Sequence, residues 1–416
     1  MEKIRTKPFK SYNPFGKEEV EAVNKVVKSG ILSDFIGAIY DDKFFGGKYV
    51  QKFEKMWADY HQVKYAVSFN SATSALVASL GALEILPGDE ILVVGYSMCI
   101  SATAPLFYDA IPIFVDLEED YYCMDPKKIK EKITSRTKAI LPVDLFGQSS
   151  DMVEINKIAK KYNLKVLSDA SHVPGSKYLD GYAGTFGDIG VYSLNQHKII
   201  HCGEGGVAVT NDEELALRLQ LIRNHAEAVI PGMHKKISLV NMLGGNYRMG
   251  EMEASIAIEQ LKKLPKLLDQ RISLANYLTD GFSKLEFITP PKVRETCNHV
   301  YYLYPIKFDE QIAGISRVKY IENINTLGIP LHKLAGGYIK PLYKEPIFAK
   351  QNEFKNGYPY NLVENKYRIN YTKVSNPVIE KFYEKEFIVT AYHQPPNTKE
   401  DMDDIIKAFT KAVNIK

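Results

Sequence analysis

Short apolar runs alternate with helix-like amphipathic segments over the first half of the chain. Runs this brief, bounded by turn residues, predict buried strands, and the helices between them predict βαβ units. We therefore expect an α/β fold built on a mainly parallel seven-stranded sheet. The predicted strands are residues 65–69, 91–95, 112–116, 139–143, 166–169, 189–193 and 206–210.

The pattern changes after the last of these runs. Residues 213–224 and 251–268 have the periodicity of amphipathic helices. Pro265 lies inside the second segment and should bend or break that helix, because proline lacks the backbone N–H and clashes with the preceding turn.

The C-terminal third predicts a smaller α/β unit. Strands are expected near residues 301–306 and 386–390, followed by a closing helix over 401–413. We predict three parts: a large domain over 15–270, a small C-terminal domain over 271–416, and an arm, 1–14, that packs on the small domain or on a partner subunit.

Composition narrows the possible partners. Hydrophobic residues make up 45% and charged residues 25% of the chain, as in ordinary globular proteins. The formal net charge of +3 gives no reason to expect a nucleic-acid or membrane partner. The first residues lack the apolar run of a signal peptide, and no long apolar stretch follows, so we expect a cytoplasmic location.

Cysteine and histidine spacing predicts neither a disulfide framework nor a metal site. The four cysteines are far apart, and no CxxC or HExxH motif occurs. His197 and His201 could suggest a metal pair, but no third ligand stands near them in the sequence.

Lys198 is the strongest candidate for covalent chemistry. It lies between the predicted strand 189–193 and a glycine-rich turn that leads into strand 206–210. A lysine on a loop anchored at both ends can be partly desolvated, which lowers its pKa and frees the amine to form a Schiff base with an aldehyde. Pyridoxal phosphate is the usual aldehyde of this kind. Without this context, Lys198 would be taken for an ordinary surface lysine.

A pyridoxal site also requires an acid for the ring nitrogen and a cradle for the phosphate. Asp169 ends a predicted parallel strand, where α/β sheets place ligand contacts, although a turn or helix-cap aspartate is the commoner role. Residues 70–76 join a predicted strand to a helix, so free N–H groups and the hydroxyls of Thr73 and Ser74 could bind an anion. An ordinary Ser/Thr helix cap would give the same local pattern.

Six segments in this order resemble the DegT/DnrJ-type family of pyridoxal-phosphate sugar aminotransferases. The resemblance covers most of the chain and implies the aspartate-aminotransferase-like, type I fold of pyridoxal-phosphate enzymes. The segments are Asn70-Ser-Ala-Thr-Ser-Ala-Leu76, Pro87-Gly-Asp-Glu-Ile-Leu92, Pro142-Val-Asp-Leu-Phe-Gly-Gln148, Asp169-Ala-Ser-His172, residues 193–206, and Gly245-Asn-Tyr-Arg-Met-Gly-Glu-Met-Glu-Ala254.

The resemblance also implies roles for individual residues. Lys198 would form the Schiff base and shuttle the proton, and Asp169 would pair with the pyridine nitrogen. Asn246 would reach the phosphate held by the neighbouring subunit, so the resemblance implies a homodimer with a shared active site. The remaining cofactor contacts implied are His172 at the ring or its phenolic oxygen, and Ser193, Ala72 and Thr73 at the phosphate.

The chain departs from the family pattern at two positions. Met98 stands where an aromatic residue commonly stacks on the pyridoxal ring, and either its thioether or Tyr96 could take that place. Ala72 stands where the family usually has glycine, so the close approach of the phosphate must be possible with a methyl group present.

The activity implied is transfer of an amino group from glutamate, or glutamine, to the keto group of a nucleotide-linked deoxysugar, for aminosugar and surface-polysaccharide biosynthesis. The cofactor would alternate between pyridoxal phosphate and pyridoxamine phosphate. Arg248, His332 and Tyr338 are the substrate contacts we expect. Further candidates with weaker support are Arg223, Asn224, His225 and Tyr343.

Three alternatives remain at this point. A keto-cyclitol aminotransferase would share every cofactor motif. A pyridoxamine-dependent sugar dehydratase is less favoured, because those relatives carry histidine where this chain has Lys198. A non-catalytic regulator would be expected to lose Lys198, Asp169 or the phosphate cradle, and all three are present.

Overall fold

The fold is described from a computed structural model. The structure describes residues 2–37, 42–226, 237–331, 340–350, 357, 359–362 and 369–415.

Strands and helices alternate through the first half of the chain. The strands are β1 (Tyr65–Phe69), β2 (Glu90–Val94), β3 (Ile111–Val115), β4 (Thr137–Leu141), β5 (Lys165–Asp169), β6 (Lys177–Tyr178), β7 (Gly181–Tyr182), β8 (Ile189–Ser193), β9 (Gly206–Thr210), β10 (Ile288–Thr289), β11 (Tyr304–Phe308) and β12 (Phe387–Thr390). The helices are α1 (Lys17–Ser29), α2 (Lys48–His61), α3 (Ala72–Ala82), α4 (Ile100–Thr103), α5 (Pro126–Ile129), α6 (Met152–Tyr162), α7 (Glu213–Arg223), α8 (Glu251–Phe282), α9 (Glu310–Ala313), α10 (Arg317–Thr326), α11 (Pro346–Ala349), α12 (Pro377–Lys381) and α13 (Lys399–Ala412).

The central sheet has seven strands in the order β1-β9-β8-β5-β4-β2-β3. The pairs β3–β2, β2–β4, β4–β5 and β5–β8 are parallel, whereas β9 runs antiparallel to both β8 and β1. Strands β2, β8 and β9 are buried at every residue, as expected for a sheet covered on both faces. The prediction of a mainly parallel seven-stranded sheet is confirmed.

Helix α8 is longer than the sequence pattern indicated. It runs without interruption from Glu251 to Phe282 with Pro265 inside it, so the expectation that Pro265 breaks the helix is wrong, and the bend expected there stays a prediction. Leu261, Leu264 and Leu268 pack into the same apolar cluster as residues of α2, on both sides of the proline. This burial stabilises the helix against the loss of one backbone hydrogen bond.

The C-terminal part forms a three-stranded antiparallel sheet in the order β10-β11-β12. The end of α8, α10 and α13 pack around it in a separate apolar cluster. Leu342, Tyr343 and Phe348, by contrast, pack with the core of the seven-stranded sheet. The division proposed between residues 270 and 271 falls inside α8 and stays a prediction.

The N-terminal arm lies along this C-terminal unit. Arg5 forms ion pairs with Asp401 (2.7 Å) and Asp404 (2.9 Å) of α13, and its guanidinium lies over the ring of Phe9. None of the helices in the described ranges combines the length and apolar character that a bilayer span requires.

Candidate active site

The ends of β5 and β8 open onto one cavity of about 350 Å³. Asp169 is the last residue of β5, Ser193 is the last residue of β8, and Lys198 follows in the loop that leads to β9. The N-terminus of α3 closes another side. The cavity is lined by Ser71, Ala72, Thr73, Leu76, Ser97, Met98, Ile100, Val143, Asp169, Ser171, His172, Ser193, Asn195, His197, Lys198, Glu204, Gly205 and Tyr302.

Lys198 is held on a short, hydrogen-bonded loop. Its backbone N–H donates to the carbonyl of Asn195 (2.8 Å), and the N–H of Gln196 donates to the carbonyl of Gly203 (2.9 Å). Burial lowers the pKa of the Lys198 amine to about 8, while the charge of Asp169 opposes that shift. A substantial fraction of the amine is therefore neutral near pH 8, which a nucleophilic lysine requires.

Asp169 is buried and lines the same cavity as Lys198. Its carboxylate accepts hydrogen bonds from the N–H of Ser171 (3.2 Å) and from the hydroxyl of Ser101 (3.3 Å). Burial raises the pKa of Asp169, and hydrogen bonds from Ser171 and the charge of Lys198 oppose that rise. A buried carboxylate with so few compensating charges has a strong preference for a cationic partner.

The start of α3 provides an anion cradle. The Ser71 hydroxyl caps the helix by accepting the N–H of Ser74 (3.1 Å). The N–H groups of Ala72 and Thr73 have no acceptor within the helix, because they lie in its first turn. These groups and the positive end of the helix dipole face the cavity. Ala72 is the first helical residue and has an ordinary backbone conformation, so this position does not require glycine.

Close packing against β9 fixes the position of the cradle. A Cβ atom on Gly206 would lie 2.4 Å from the backbone nitrogen of Ala72 and 2.5 Å from the carbonyl carbon of Ser71. Only glycine leaves enough space for this approach, because both neighbouring atoms belong to the backbone.

His172 and Tyr302 form an aromatic wall beside Lys198. Their rings stack with centroids 4.1 Å apart, and the Lys198 Nζ lies 4.5 Å from the centroid of Tyr302. Burial, together with the charge of Lys198, lowers the pKa of His172 well below its ordinary value, so the imidazole is neutral at neutral pH.

The comparisons with known proteins agree with this geometry. The model of the DegT/DnrJ/EryC1/StrS aminotransferase family matches residues 17–385. The chain belongs to this family. The predicted family and enzyme class, a pyridoxal-phosphate-dependent sugar aminotransferase, are thereby confirmed.

One curated relative and two solved structures illustrate the similarity. The dTDP-3-amino-3,6-dideoxy-alpha-D-galactopyranose transaminase of Aneurinibacillus thermoaerophilus is 36% identical, over 77% of this chain and 83% of that protein. Helicobacter pylori PseC, an aminotransferase of pseudoaminic acid biosynthesis, is 27% identical with a TM-score of 0.80, over 98% of this chain and all of PseC. NtdA of Bacillus subtilis, solved with bound pyridoxamine phosphate, is 26% identical with a TM-score of 0.77, over 96% of this chain and 82% of NtdA.

The aminotransferase fold explains how the residues of the cavity could hold pyridoxal phosphate. The amine of Lys198, the buried carboxylate of Asp169 and the N–H groups at the start of α3 are the three chemical features that the cofactor requires, and they line one cavity. Ser193 also lines it, and its hydroxyl accepts the N–H of Asn195 (3.3 Å). The donor set therefore fits the cofactor.

The structure separates the two residues expected beside the pyridoxal ring, Tyr96 and Met98. Tyr96 is fully buried and packs against Phe382 and Phe387, away from the cavity, so the alternative that Tyr96 takes this place is wrong. Met98 lines the cavity and is 55% exposed, which leaves its thioether at the mouth.

Sequence reasoning missed Tyr302. The residue stands in a Tyr-Tyr pair shortly before β11, and tyrosine is too frequent in this chain, with 27 residues, for the pair to attract notice. Only the folded chain brings this segment to His172 and Lys198.

Asn246 and Arg248 are not among the residues that line this cavity. Asn246 is exposed and pairs with Asn224 in an isolated β-bridge. The guanidinium of Arg248 contacts the imidazole of His225 at 2.8 Å. His332 and Tyr338 lie outside the described residues. The roles expected for these four residues stay predictions.

The structure gives structural roles to three of the weaker candidates. Arg223 is fully buried in an ion pair with Glu54 and also donates to the carbonyl of Ser68 (3.0 Å). The amide of Asn224 donates to the carbonyls of Ile36 and Phe44. The ring of Tyr343 is buried against Phe114. These contacts tie elements together and do not face the cavity.

Proposed function

We propose that this protein transfers an amino group from glutamate or glutamine to the keto group of a nucleotide-linked deoxysugar, with Lys198 as the catalytic residue. The observation that carries the proposal is the buried Lys198 amine, whose pKa is about 8, in one cavity with the carboxylate of Asp169 and the anion cradle of α3. This combination suits covalent attachment of pyridoxal phosphate.

Lys198 would bind the cofactor and then move protons. Because burial lowers the pKa of its amine, Nζ can take a proton from the α-carbon of the amino-acid donor and later return one to the sugar carbon that receives the nitrogen. The loop bonds of Asn195, Gln196 and Gly203 limit the positions that this amine can reach.

Asp169 would keep the cofactor's ring nitrogen protonated. When bound, pyridoxal phosphate supplies an electron-withdrawing ring that stabilises negative charge at the reacting carbon. The bonds from Ser101 and Ser171 orient the carboxylate of Asp169 toward the cavity and stabilise its charged form.

His172 and Tyr302 would limit the access of water. Their stacked rings cover Lys198 on one side, and both residues line the cavity. Exclusion of water keeps the Lys198 amine desolvated, which keeps its pKa below the ordinary lysine value.

The choice of a nucleotide-linked sugar rests on the relatives. One is named for a dTDP-linked aminosugar and another for pseudoaminic acid biosynthesis. Three residues would contact the sugar: Arg248, His332 and Tyr338. Asn246 would complete the site by reaching the phosphate from the partner subunit of a homodimer. The product would enter aminosugar or surface-polysaccharide biosynthesis in the cytoplasm.

Two half-reactions test this proposal. Cofactor-loaded protein is mixed with glutamate or glutamine, and the cofactor spectrum should convert to that of pyridoxamine phosphate. A panel of 3-keto and 4-keto nucleotide sugars and of keto-cyclitols then follows. Restoration of the first spectrum by a nucleotide ketosugar, with an aminosugar as product, supports the proposal. Restoration by a keto-cyclitol alone, or loss of a ring hydroxyl without amination, contradicts it.

A further inference from the structure

The N-terminal arm reaches the loop that carries Lys198. The hydroxyl of Tyr12 donates a hydrogen bond to the carbonyl of Ile199, the residue directly after the lysine. Phe15, the residue directly after the arm, packs edge-on against the ring of His201 with centroids 4.7 Å apart. Two points of the loop are therefore fixed by a segment that lies at the other end of the sequence.

Gln260 of α8 joins the arm to the same loop. Its side-chain oxygen accepts the N–H of His201 (3.5 Å), and its amide nitrogen donates to the carbonyl of Pro14 (3.3 Å). Gln260 is fully buried, so water does not compete for these bonds.

Arg271 connects the arm to the aromatic wall of the active site. Its guanidinium lies 5.3 Å from the ring centroid of Tyr12. The same group donates to the carbonyls of Tyr301 (3.2 Å) and Tyr302 (3.4 Å) and to the side-chain oxygen of Gln394 (2.8 Å). A buried guanidinium bonded to carbonyls in this way fixes the backbone strongly, because its donors must be satisfied.

These contacts form a continuous path around Lys198. Tyr12 fixes the backbone that follows the lysine, and Arg271 fixes the backbone of Tyr302, whose ring lies 4.5 Å from the Lys198 Nζ. Tyr12 and Arg271 contact each other. The lysine and the ring beside it are therefore held by one shared unit.

We propose that Tyr12 and Arg271 are positioning residues, through which the N-terminal arm holds Lys198 against Tyr302 in the catalytic arrangement. The inference rests on the proposed function of Lys198. It assigns to the arm a part in catalysis in addition to its contacts with the C-terminal unit.

Tyr12→Phe is the direct test, because it removes the hydroxyl that bonds to Ile199 and interacts with Arg271, and leaves the ring in place. The loosened loop should admit water to Lys198, so the pKa of its amine should rise toward the ordinary lysine value. In cofactor-free protein, the pH midpoint of Lys198 acylation, followed by mass spectrometry, should rise by about 0.5 unit or more. In the loaded enzyme, kcat should fall roughly tenfold with little change in KM for the amino donor.

Tyr320→Phe is the matched control. The Tyr320 hydroxyl also donates to a backbone carbonyl, that of Phe409 (2.7 Å), in the buried C-terminal cluster. It should leave both the Lys198 midpoint and kcat at the wild-type values. Equal behaviour of the two variants would overturn the inference. If the wild-type protein itself fails to aminate any ketosugar, the proposed function fails, and the acylation midpoints still report on the positioning.

Discussion

At the scale of single residues, the site depends on charges placed where water is scarce. Burial lowers the pKa of Lys198 to about 8, and Asp169 is the group that opposes this shift. Burial also raises the pKa of Asp169 itself. The two side chains therefore stabilise each other's charged forms, and a change to one should be measurable at the other.

Asp169→Asn tests that coupling. Removal of the carboxylate's charge removes the interaction that raises the pKa of Lys198, so the amine should titrate below about 8. The pH dependence of Lys198 acylation in cofactor-free protein measures the shift. Asp188→Asn removes a carboxylate that faces Lys165 instead and should leave the midpoint unchanged. An unchanged or higher midpoint in Asp169→Asn would argue against the coupling.

Asp144 gives a second prediction at this scale. The carboxyl is fully buried next to β5 and accepts the N–H of Ser150 (2.7 Å), and burial raises its pKa from 3.8 to about 7, to which the charge of Asp169 adds. A folded-state pKa above the unfolded value means that stability is lost as pH rises from about 4 to about 7.

Asp144→Asn should remove this pH dependence. Asparagine keeps an acceptor for Ser150 and has no charge to desolvate, so the variant should gain on the order of 3 kcal/mol over wild type between pH 5 and pH 8. Urea unfolding of both cofactor-free proteins at these two pH values measures the difference. Parallel pH profiles would mean that the pKa of Asp144 in the folded protein is close to its unfolded value, and would contradict the prediction.

The principal site residues were accessible to sequence reasoning because strand ends determine their positions. Asp169 is the last residue of β5, and Ser193 is the last residue of β8, the parallel strand beside it. Lys198 follows Ser193 within one short loop. Tyr302 was not accessible, since its place beside Lys198 depends on Arg271 and on the packing of a distant segment. The alternation of side chains near β2 likewise could not decide between Tyr96 and Met98.

At the scale of elements, one contact between a strand and a helix governs the anion cradle. β9 begins at Gly206, against the first turn of α3, and the space there is smaller than a methyl group. The antiparallel pairing of β9 with β1 brings Gly206 opposite Phe69, two residues before the helix cap Ser71. The orientation of the cradle's N–H groups therefore depends on the sheet.

Gly206→Ala should displace the start of α3. The added methyl would meet the Ala72 nitrogen at 2.4 Å, so the helix or the strand must move, at a cost of about 1–3 kcal/mol. We expect the affinity for pyridoxal phosphate to fall at least about tenfold, because the cradle's N–H groups lose their alignment. Equilibrium dialysis of the cofactor measures this affinity.

Gly37→Ala is the control for the glycine test. A Cβ at Gly37 meets no atom within 4 Å, so this variant should bind the cofactor as wild type does. Equal affinities for all three proteins would show that the start of α3 does not hold the phosphate.

Sequence patterns predicted the elements of the sheet well and the long helix poorly. Seven short apolar runs match strands whose side chains are buried from both sides, where burial dominates the local preference. In α8 the local preference of Pro265 is outweighed by Leu261, Leu264 and Leu268, which pack on α2. The sequence window around Pro265 contains no sign of that partner.

At the scale of the whole molecule, the proposed shared active site makes a quantitative prediction. Lys198→Ala and Asn246→Ala homodimers should each be nearly inactive. When equal amounts of the two variants are unfolded and refolded together, half of the dimers formed are hybrids. Each hybrid has one site with both native residues. The mixture should therefore regain about a quarter of wild-type activity. Activity no greater than the sum of the two variants would mean that Asn246 serves the site of its own chain, or no site.

The identity of the covalent lysine is the point on which these predictions converge. The chain should be incubated with pyridoxal phosphate, reduced with borohydride, digested and examined by mass spectrometry for the pyridoxyl group. We expect one modified peptide, with the group on Lys198, and no such peptide from Lys198→Ala. A modification spread over surface lysines, or located on another single lysine while Lys198 stays unmodified, would contradict the assignment of the active site.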